Sequence, residues 1–276
     1  GGMTEPRLVG PADEGYPAGL FDLESPPTLY VLGATTTAPA VAVVGTRKCT
    51  RYGLALGEAF GHALADAGWT TVSGLARGID AAAHRGTLGA EGEAVAVLGS
   101  GIDVIYPAEH RGLYHQILDG NGAIMSEYPP GTPPDRWRFP ARNRLIAAIA
   151  SAVVVVEAGH QGGALITARL AAELGRPVFA VPGDVDRPAS KGCNLLIRDG
   201  AFPVLGVADL IAELELVLGK PPRTEMPATS GIPATGVVID DLPRVWGCTP
   251  AEALARLARM EIAGEIRRSG EVIIPI

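Results

Sequence analysis

Six apolar runs, each followed by a helix-like stretch, leave this chain little choice of fold. The runs are VAVV (41–44), TTV (70–72), AVAVL (94–98), GAIM (122–125), AVVVV (152–156) and PVFAV (177–181). Most are continuous rather than alternating, as strands covered on both faces should be. Helical patterns fill 53–67, 79–91, 108–119, 141–150, 163–174 and 207–218. Strand and helix in strict alternation predict a doubly wound α/β domain, with a parallel sheet and right-handed crossovers. Such sheets bind ligands outside the carboxyl ends of their strands, so the loops after the runs should carry the function.

The α/β domain is expected over 7–218, with the Pro-rich residues 3–40 packed on it as an irregular extension. Residues 219–236 (GKPPRTEMPATSGIPATG) have no apolar period and read as a linker. Residues 237–276 differ in character. Thr249 and Pro250 can open a helix as N-cap and first residue. Leu254, Leu257 and Met260 follow at helical spacing, with Ile262 near the end and Gly264 as the stop. EIRRSGEVIIPI then reads as a hairpin turning at Ser269-Gly270. Helix followed by hairpin predicts a small winged-helix-like domain. Five arginines stand there against six acids, so a protein contact or a structural role is expected, rather than a grip on duplex DNA.

Charge limits the partners. The chain has a net charge of −7, with 20 Arg and 3 Lys. It is no basic nucleic-acid coat, and an anion site must be a local concentration of cations. Cys49, Cys193 and Cys248 are far apart and form no zinc pattern, so no metal is expected and a reducing cytoplasm is the simplest location. No signal peptide is apparent. The longest uncharged apolar-rich run, 145–156, falls short of the roughly 20 residues of a membrane span. Gly1-Gly2 before Met3 reads as an expression scar.

The loop after the first run is Gly45-Thr46-Arg47-Lys48, with Arg51 close behind. Arg47 stands where a dinucleotide fingerprint needs its second glycine, and the second strand ends in Ser73-Gly74 rather than in a ribose-binding acid. No dinucleotide cofactor is therefore expected. Arg47 can grip a phosphate together with nearby backbone N–H groups, or brace a carbonyl or carboxylate of the protein. In SGLARGIDAAAHRG, Ser73 and Gly74 allow close approach at the sheet edge, and Asp80 and His84 fall on one helix face, where bracing is favoured over acid–base chemistry. Glu157 is expected to be a buried, paired acid. Lys191 is expected on a turn.

The densest feature is SEYPPGTPPDRWRFPARNRLIAA. Arg136, Arg138, Arg142 and Arg144 fall within nine residues, interleaved with Trp137 and Phe139. Guanidinium groups on phosphates and ring faces on bases are what single-stranded nucleic acid requires. The alternative makes the rings core anchors and the arginines a solvated rim, and it suits Trp137 better than it suits Arg142-Asn143-Arg144. Those three are expected to open a helix, where cations oppose the helix dipole and a bound anion would relieve the conflict.

Residues 7–218 resemble the DprA/Smf family of bacterial DNA-processing proteins. The resemblance rests on VVGTRKCTRYG, SGLARGIDAAAH, VLGSGIDVIYP, SEYPPGTPP, FPARNRLIA, VVVVEA, ALITARLAAELGRPVFAVPG and GCNLLIRDGA. It implies an extended Rossmann-like fold without a nucleotide-dependent reaction. It also implies single-stranded DNA binding, protection of incoming strands, dimerisation through the Rossmann-like domain, and loading of the RecA recombinase in natural transformation. By the same resemblance Arg47 contacts a phosphate and Phe139 a base, while Arg142, Asn143, Arg144 and Lys191 help build the pocket. Gly45, Thr46, Lys48, Ser73, Gly74 and Arg136 complete the expected DNA-binding set, and no catalytic residue is expected. Thr46, Gly162 and His110 stand where the family usually has Ser, Ser and Asn, and residues 3–40 are too short for its N-terminal helical domain. The rival is a nucleoside-monophosphate phosphoribohydrolase of the lysine-decarboxylase-like Rossmann group. Gly162-Gly163 and Thr167 faintly resemble that group's phosphate loop, but its PGGxGT motif is missing.

Overall fold

All six apolar runs are strands in the computed structural model, which describes residues 5–34, 39–120, 122–221, 236–246, 248–263, 266–270 and 272–275. The chain runs β1 (Arg7–Val9), β2 (Leu29–Gly33), β3 (Ala40–Val44), α1 (Arg51–Asp66), β4 (Thr70–Ser73), α2 (Ile79–Gly89) and β5 (Ala94–Leu98). It continues through α3 (Arg111–Asp119), β6 (Ala123–Ser126), α4 (Arg138–Ile149), β7 (Ala152–Val155), α5 (Gly163–Glu173) and β8 (Val178–Ala180). Then come α6 (Lys191–Arg198), β9 (Phe202–Pro203) and α7 (Val207–Leu218). The nine strands form one sheet in the order β1-β2-β6-β5-β4-β3-β7-β8-β9. From β6 to β9 all neighbours are parallel. Strand order reverses beside β3, which lies between β4 and β7, and this is the switch point where ligand crevices open in such sheets.

The continuous apolar runs are explained by burial on both faces. Ala42 and Val44 of β3 join one cluster with Val153, Val155, Leu145 and Ala168. Val41 and Val43 face the other way, towards Phe60, Leu64, Val154 and Leu214. Every residue of β3 is therefore covered, and polar residues in the strand would have no water to face.

Three sequence expectations are corrected. Residues 3–40 are not merely an irregular extension. β2 pairs antiparallel with β6 (Val31 opposite Met125) and β1 pairs antiparallel with β2, so two strands extend the parallel sheet at this edge. Lys191 is not on a turn but is the first residue of α6, a helix the sequence reading did not predict. Gly192, in its first turn, presses on the Ala158 and Gly159 backbone where a Cβ would not fit. Finally, α4 begins at Arg138, three residues before its expected start. Pro140 is tolerated in that first turn because the N–H it lacks would have had no intrahelical partner.

The chain forms two compact units, residues 1–222 and residues 223–276. Most of the expected linker, 222–235, lies outside the described residues, as does Gly264. The second unit holds β10 (Val237–Val238), α8 (Leu242–Trp246), α9 (Pro250–Ala263), β11 (Ile266–Ser269) and β12 (Val272–Pro275). Its sheet order is β10-β12-β11, and Leu242, Leu257, Met260 and Ile273 form its core. Thr249 and Glu252 cap α9 reciprocally, with the Thr249 N–H donating to the Glu252 carboxylate at 2.8 Å and the Glu252 N–H to Thr249 Oγ1 at 3.4 Å. The Thr249 hydroxyl, which donates to the Glu252 carboxylate at 2.7 Å, and then the Thr249 N–H draw the Glu252 pKa below the usual carboxylate value. Leu254 is exposed while Ala253 turns inward, so the buried stripe runs through Ala253, Leu257 and Met260.

Candidate nucleic-acid interface

The loop after β3 is shaped by the residue that follows β7. Gly45 packs against Ile79 and the Glu157 carbonyl at a distance that excludes a Cβ. The Thr46 N–H donates to the Glu157 carbonyl (2.8 Å). The buried Glu157 carboxylate accepts from the Thr50 N–H (2.8 Å) and Oγ1–H (2.5 Å). Thr50 Oγ1 in turn accepts from the Gly53 N–H (3.1 Å) and caps α1. Glu157 is thus a structural acid that fastens the β3 loop across the switch point. Thr46 is left half-buried, and Arg47 and Lys48 face solvent. Among the described residues no carboxylate pairs with either cation.

The N-terminal turn of α4 meets this loop from the far side. The Phe139 ring rests on Gly99, which has no room for a Cβ beneath it. The Arg47 guanidinium lies 4.9 Å from the centroid of that ring, and Tyr106 flanks it at 5.4 Å with a 35° tilt. The two residues singled out from the sequence are therefore in contact, a cation held on an aromatic face. Together with Lys48, Tyr106 and Arg136 they line the mouth of an open groove of about 1700 Å³. Asn143, Gly163 and Thr167 also line it.

Beneath the mouth lies a buried polar tier. Arg142, 3% exposed, donates to the carbonyls of Gly74 (2.8 Å) and Val97 and to Asn143 Oδ1 (3.2 Å). Asn143 Nδ2 donates to the Gly163 carbonyl (3.1 Å), linking α4 to the start of α5. The Asp80 carboxylate accepts from the N–H groups of Gly74 (3.1 Å) and Ala76 (3.4 Å). Ser73 Oγ donates to the Val43 carbonyl (2.7 Å). Burial raises the Asp80 pKa, opposed by the Arg142 guanidinium, while burial draws Arg142 down to about 10. Gly74 is required because the Arg142 guanidinium occupies the space of its missing side chain.

The structure thus divides the expected residues. Gly45, Thr46, Arg47, Lys48, Arg136 and Phe139 gather at the groove mouth. Ser73, Gly74, Arg142 and Asn143 are buried, and the polar side chains of Ser73, Arg142 and Asn143 are bonded to protein partners, so they support the mouth, although Arg142 and Asn143 also contribute to the groove lining. Because α4 starts at Arg138, Arg142-Asn143-Arg144 lie one turn inside it and do not open it. Arg144 is half-buried and ion-paired with Glu127, away from the groove lining. Lys191 is exposed but does not line the groove. Asp80 and His84 are not bonded to each other. His84 is fully buried, both its ring nitrogens lack hydrogen-bond partners, and burial lowers its pKa to about 3.

Trp137 is no core anchor, being 59% exposed. Tyr106 and Gly99 were missed by the sequence reading, although both lie in GSGIDVIYP directly after a predicted strand. Among the described residues no three His, Cys, Asp or Glu side chains group to hold a metal ion, and no helix is long and apolar enough to cross a membrane.

The family model of DNA recombination-mediator protein A matches residues 7–215. A protein Smf of Synechocystis is 44% identical over 77% of this chain and 55% of its own length. The chain thus spans about half of that relative. A putative DNA processing protein DprA of Mycobacterium tuberculosis is 41% identical over 94% of this chain and 74% of its own length. Among solved structures, the DNA processing protein A of Streptococcus pneumoniae superposes with a TM-score of 0.72 at 39% identity, covering 76% of this chain and 75% of that one. The DNA processing protein A of Helicobacter pylori, whose structure concerns a single-stranded DNA binding mode, superposes at 0.67 with 30% identity, covering 76% of this chain and 95% of that one. A match over most of the α/β unit, with relatives above 40% identity, leads to one conclusion: the chain belongs to the DNA recombination-mediator protein A family.

Proposed function

We propose that this chain binds single-stranded DNA across the groove mouth, with Arg47 on a phosphate and Phe139 against a base. The observation that carries this is the contact between the two. An exposed guanidinium, with no carboxylate partner among the described residues, is seated 4.9 Å from an aromatic centroid at the carboxyl edge of the sheet. A phosphate and its own base lie side by side in the same way. A ring platform needs an unpaired base face, which a duplex hides, so single strands are favoured. The Helicobacter pylori relative, described by its single-stranded DNA binding mode, supports the same substrate. With a net charge of −7, the body of the protein adds no general attraction for nucleic acid.

No catalysis is assigned to the groove. Of the two acids that line it, Asp80 accepts from backbone N–H groups and Asp199 is ion-paired with Arg198, which speaks against the phosphoribohydrolase alternative. The family's description as a recombination mediator supports a role in recombination, and we read that role as passing the strand to RecA in transformation, with the chain acting in the cytoplasm as a homodimer formed through the Rossmann-like unit. Faster RecA assembly on single strands in the presence of this chain is the expected sign. The C-terminal unit, winged-helix-like by sequence, is given a protein-contact or structural role. Its long helix α9 exposes Ala251, Leu254, Ala255 and Ala258.

Electrophoretic shifts with oligo-dT and with a duplex of equal length, at moderate salt, test the substrate. Oligo-dT should shift at concentrations where the duplex stays free. Equal shifts, or none with either, contradict the proposal.

A further inference from the structure

Arg138 and Trp137 have no part in the contact between Arg47 and Phe139. The Arg138 guanidinium lies 5.1 Å from the Tyr128 centroid and 5.1 Å from the Trp137 centroid, and those two rings meet edge to face at 6.2 Å and 88°. Arg138 also donates to the Pro133 carbonyl, and its Nε is buried with no hydrogen-bond partner. An arginine held this way is not free to grip a phosphate. What it does is fix an indole. One face of Trp137 is covered by the guanidinium, yet the residue is 59% exposed, so much of the indole stays open to solvent. An exposed indole held in one orientation offers a stacking surface to an unpaired base.

The position of this ring is set by the sheet. Phe139 packs at the loop after β5 through Gly99 and Tyr106, while Trp137 packs at Tyr128, which follows β6. β5 and β6 are hydrogen-bonded neighbours, and neighbouring strands lie about 4.8 Å apart. Trp137 and Phe139 are also two residues apart at the start of α4, roughly 200° around the helix axis, so they flank its N-terminus on opposite sides. Arg136, next to Trp137 in sequence, is exposed and lines the groove.

We propose that Trp137, held by Arg138 and Tyr128, is a second base-stacking platform, which takes a nucleotide of the same strand beyond the groove. This rests on the single-strand reading of the Arg47–Phe139 mouth and extends it from β3 across β5 to β6. The ligand is an unpaired base of any identity, because stacking on an indole face is sequence-tolerant. The strand then runs along the carboxyl edge of the sheet from the β3 loop towards β6.

The test uses the whole chain with oligo-dT of increasing length. Wild type, Trp137→Ala, Trp137→Phe and Phe139→Ala are titrated at one salt concentration, and wild type and Trp137→Ala again at several. The shortest oligomers that fill the mouth should bind wild type and Trp137→Ala alike. Longer ones should gain affinity on wild type and on Trp137→Phe but fall about tenfold or more behind on Trp137→Ala. The salt slope of Trp137→Ala should match wild type, since no phosphate contact is removed. Binding should quench tryptophan fluorescence, and Trp137→Phe should abolish the quench, because Trp69 is buried and Trp246 lies in the C-terminal unit. Equal affinity of Trp137→Ala and wild type at every length, with Phe139→Ala impaired, overturns the platform and leaves the mouth standing. Loss of self-association in Trp137→Ala with unchanged DNA affinity overturns it in favour of a protein contact. No binding of any oligomer by wild type overturns both.

Discussion

Four arginines in RWRFPARNR and its flank have four different fates, and no spacing rule separates them. Arg136 is free, Arg138 is stacked, Arg142 is buried and Arg144 is ion-paired. Cation–aromatic alternation marked the segment from sequence. The sorting depends on carbonyls at Gly74 and Val97 and on the acid at Glu127, which reach the segment only after folding. The contact of Arg47 with Phe139 was equally invisible, since 92 positions separate them, and it changes what their substitution should do. Arg47→Ala should reduce the slope of log affinity against log salt by about 0.7, one phosphate on a single strand. Phe139→Ala should leave the slope nearly intact while weakening binding. The double variant should lose less than the sum of the two, by about 0.5–1 kcal/mol, because each single change already disrupts the pair. Additive losses in oligo-dT titrations would mean that the two side chains act independently.

At the level of elements, the helices and strands that build the edge were legible, because apolar runs and turn residues alternate so strictly. Element starts were not. α4 begins three residues early because proline is harmless in a first turn, and α6 was missed because eight residues with a glycine in the first turn give little periodicity. β1 and β2 were hidden in a Pro-rich stretch, and only pairing, of β2 with β6 and of β1 with β2, makes them strands. The buried tier beneath the mouth joins these elements: Arg142 ties α4 to the ends of β4 and β5, and Asn143 ties it to α5. Removing Arg142 leaves two carbonyls and the Asp80 charge without their partner. Arg142→Ala should therefore cost about 3 kcal/mol of folding stability in urea titration and weaken oligo-dT binding by displacing Phe139. Arg136→Ala should weaken binding and leave the urea midpoint within about 0.5 kcal/mol of wild type. A stable Arg142→Ala protein with normal affinity would show that the tier does not position the mouth.

For the molecule as a whole, the sequence already implied an acidic body with a local cationic edge, and the sheet order explains how the edge is assembled. Loops after β3, β5, β6 and β7 converge from four distant segments onto one side of one sheet. The same burial gives the α/β unit a pH dependence. His84 has a folded pKa of about 3 against 6.5 for the free side chain. Below about pH 6.5 the unfolded chain takes up a proton that the folded chain refuses until about pH 3. The contribution of His84 is thus fully present above pH 6.5 and is lost as pH falls. Between pH 7 and pH 5 this amounts to about 2 kcal/mol. Asp80, whose pKa is raised by burial, works in the opposite sense, its ionised form being the costly one at higher pH. Urea unfolding of wild type and His84→Leu at pH 7 and pH 5 should show the pH-dependent loss shrinking in the variant. An unchanged loss would remove His84 as its source. The path of the strand over the edge is tested most directly by photo-cross-linking a thymine-analogue oligomer to the whole chain and mapping the modified peptides. Cross-links are expected at Phe139, Tyr106 and Trp137, with oligo-dT competing and duplex not. Cross-links confined to residues 236–276, or to α1 and α7, would contradict the account.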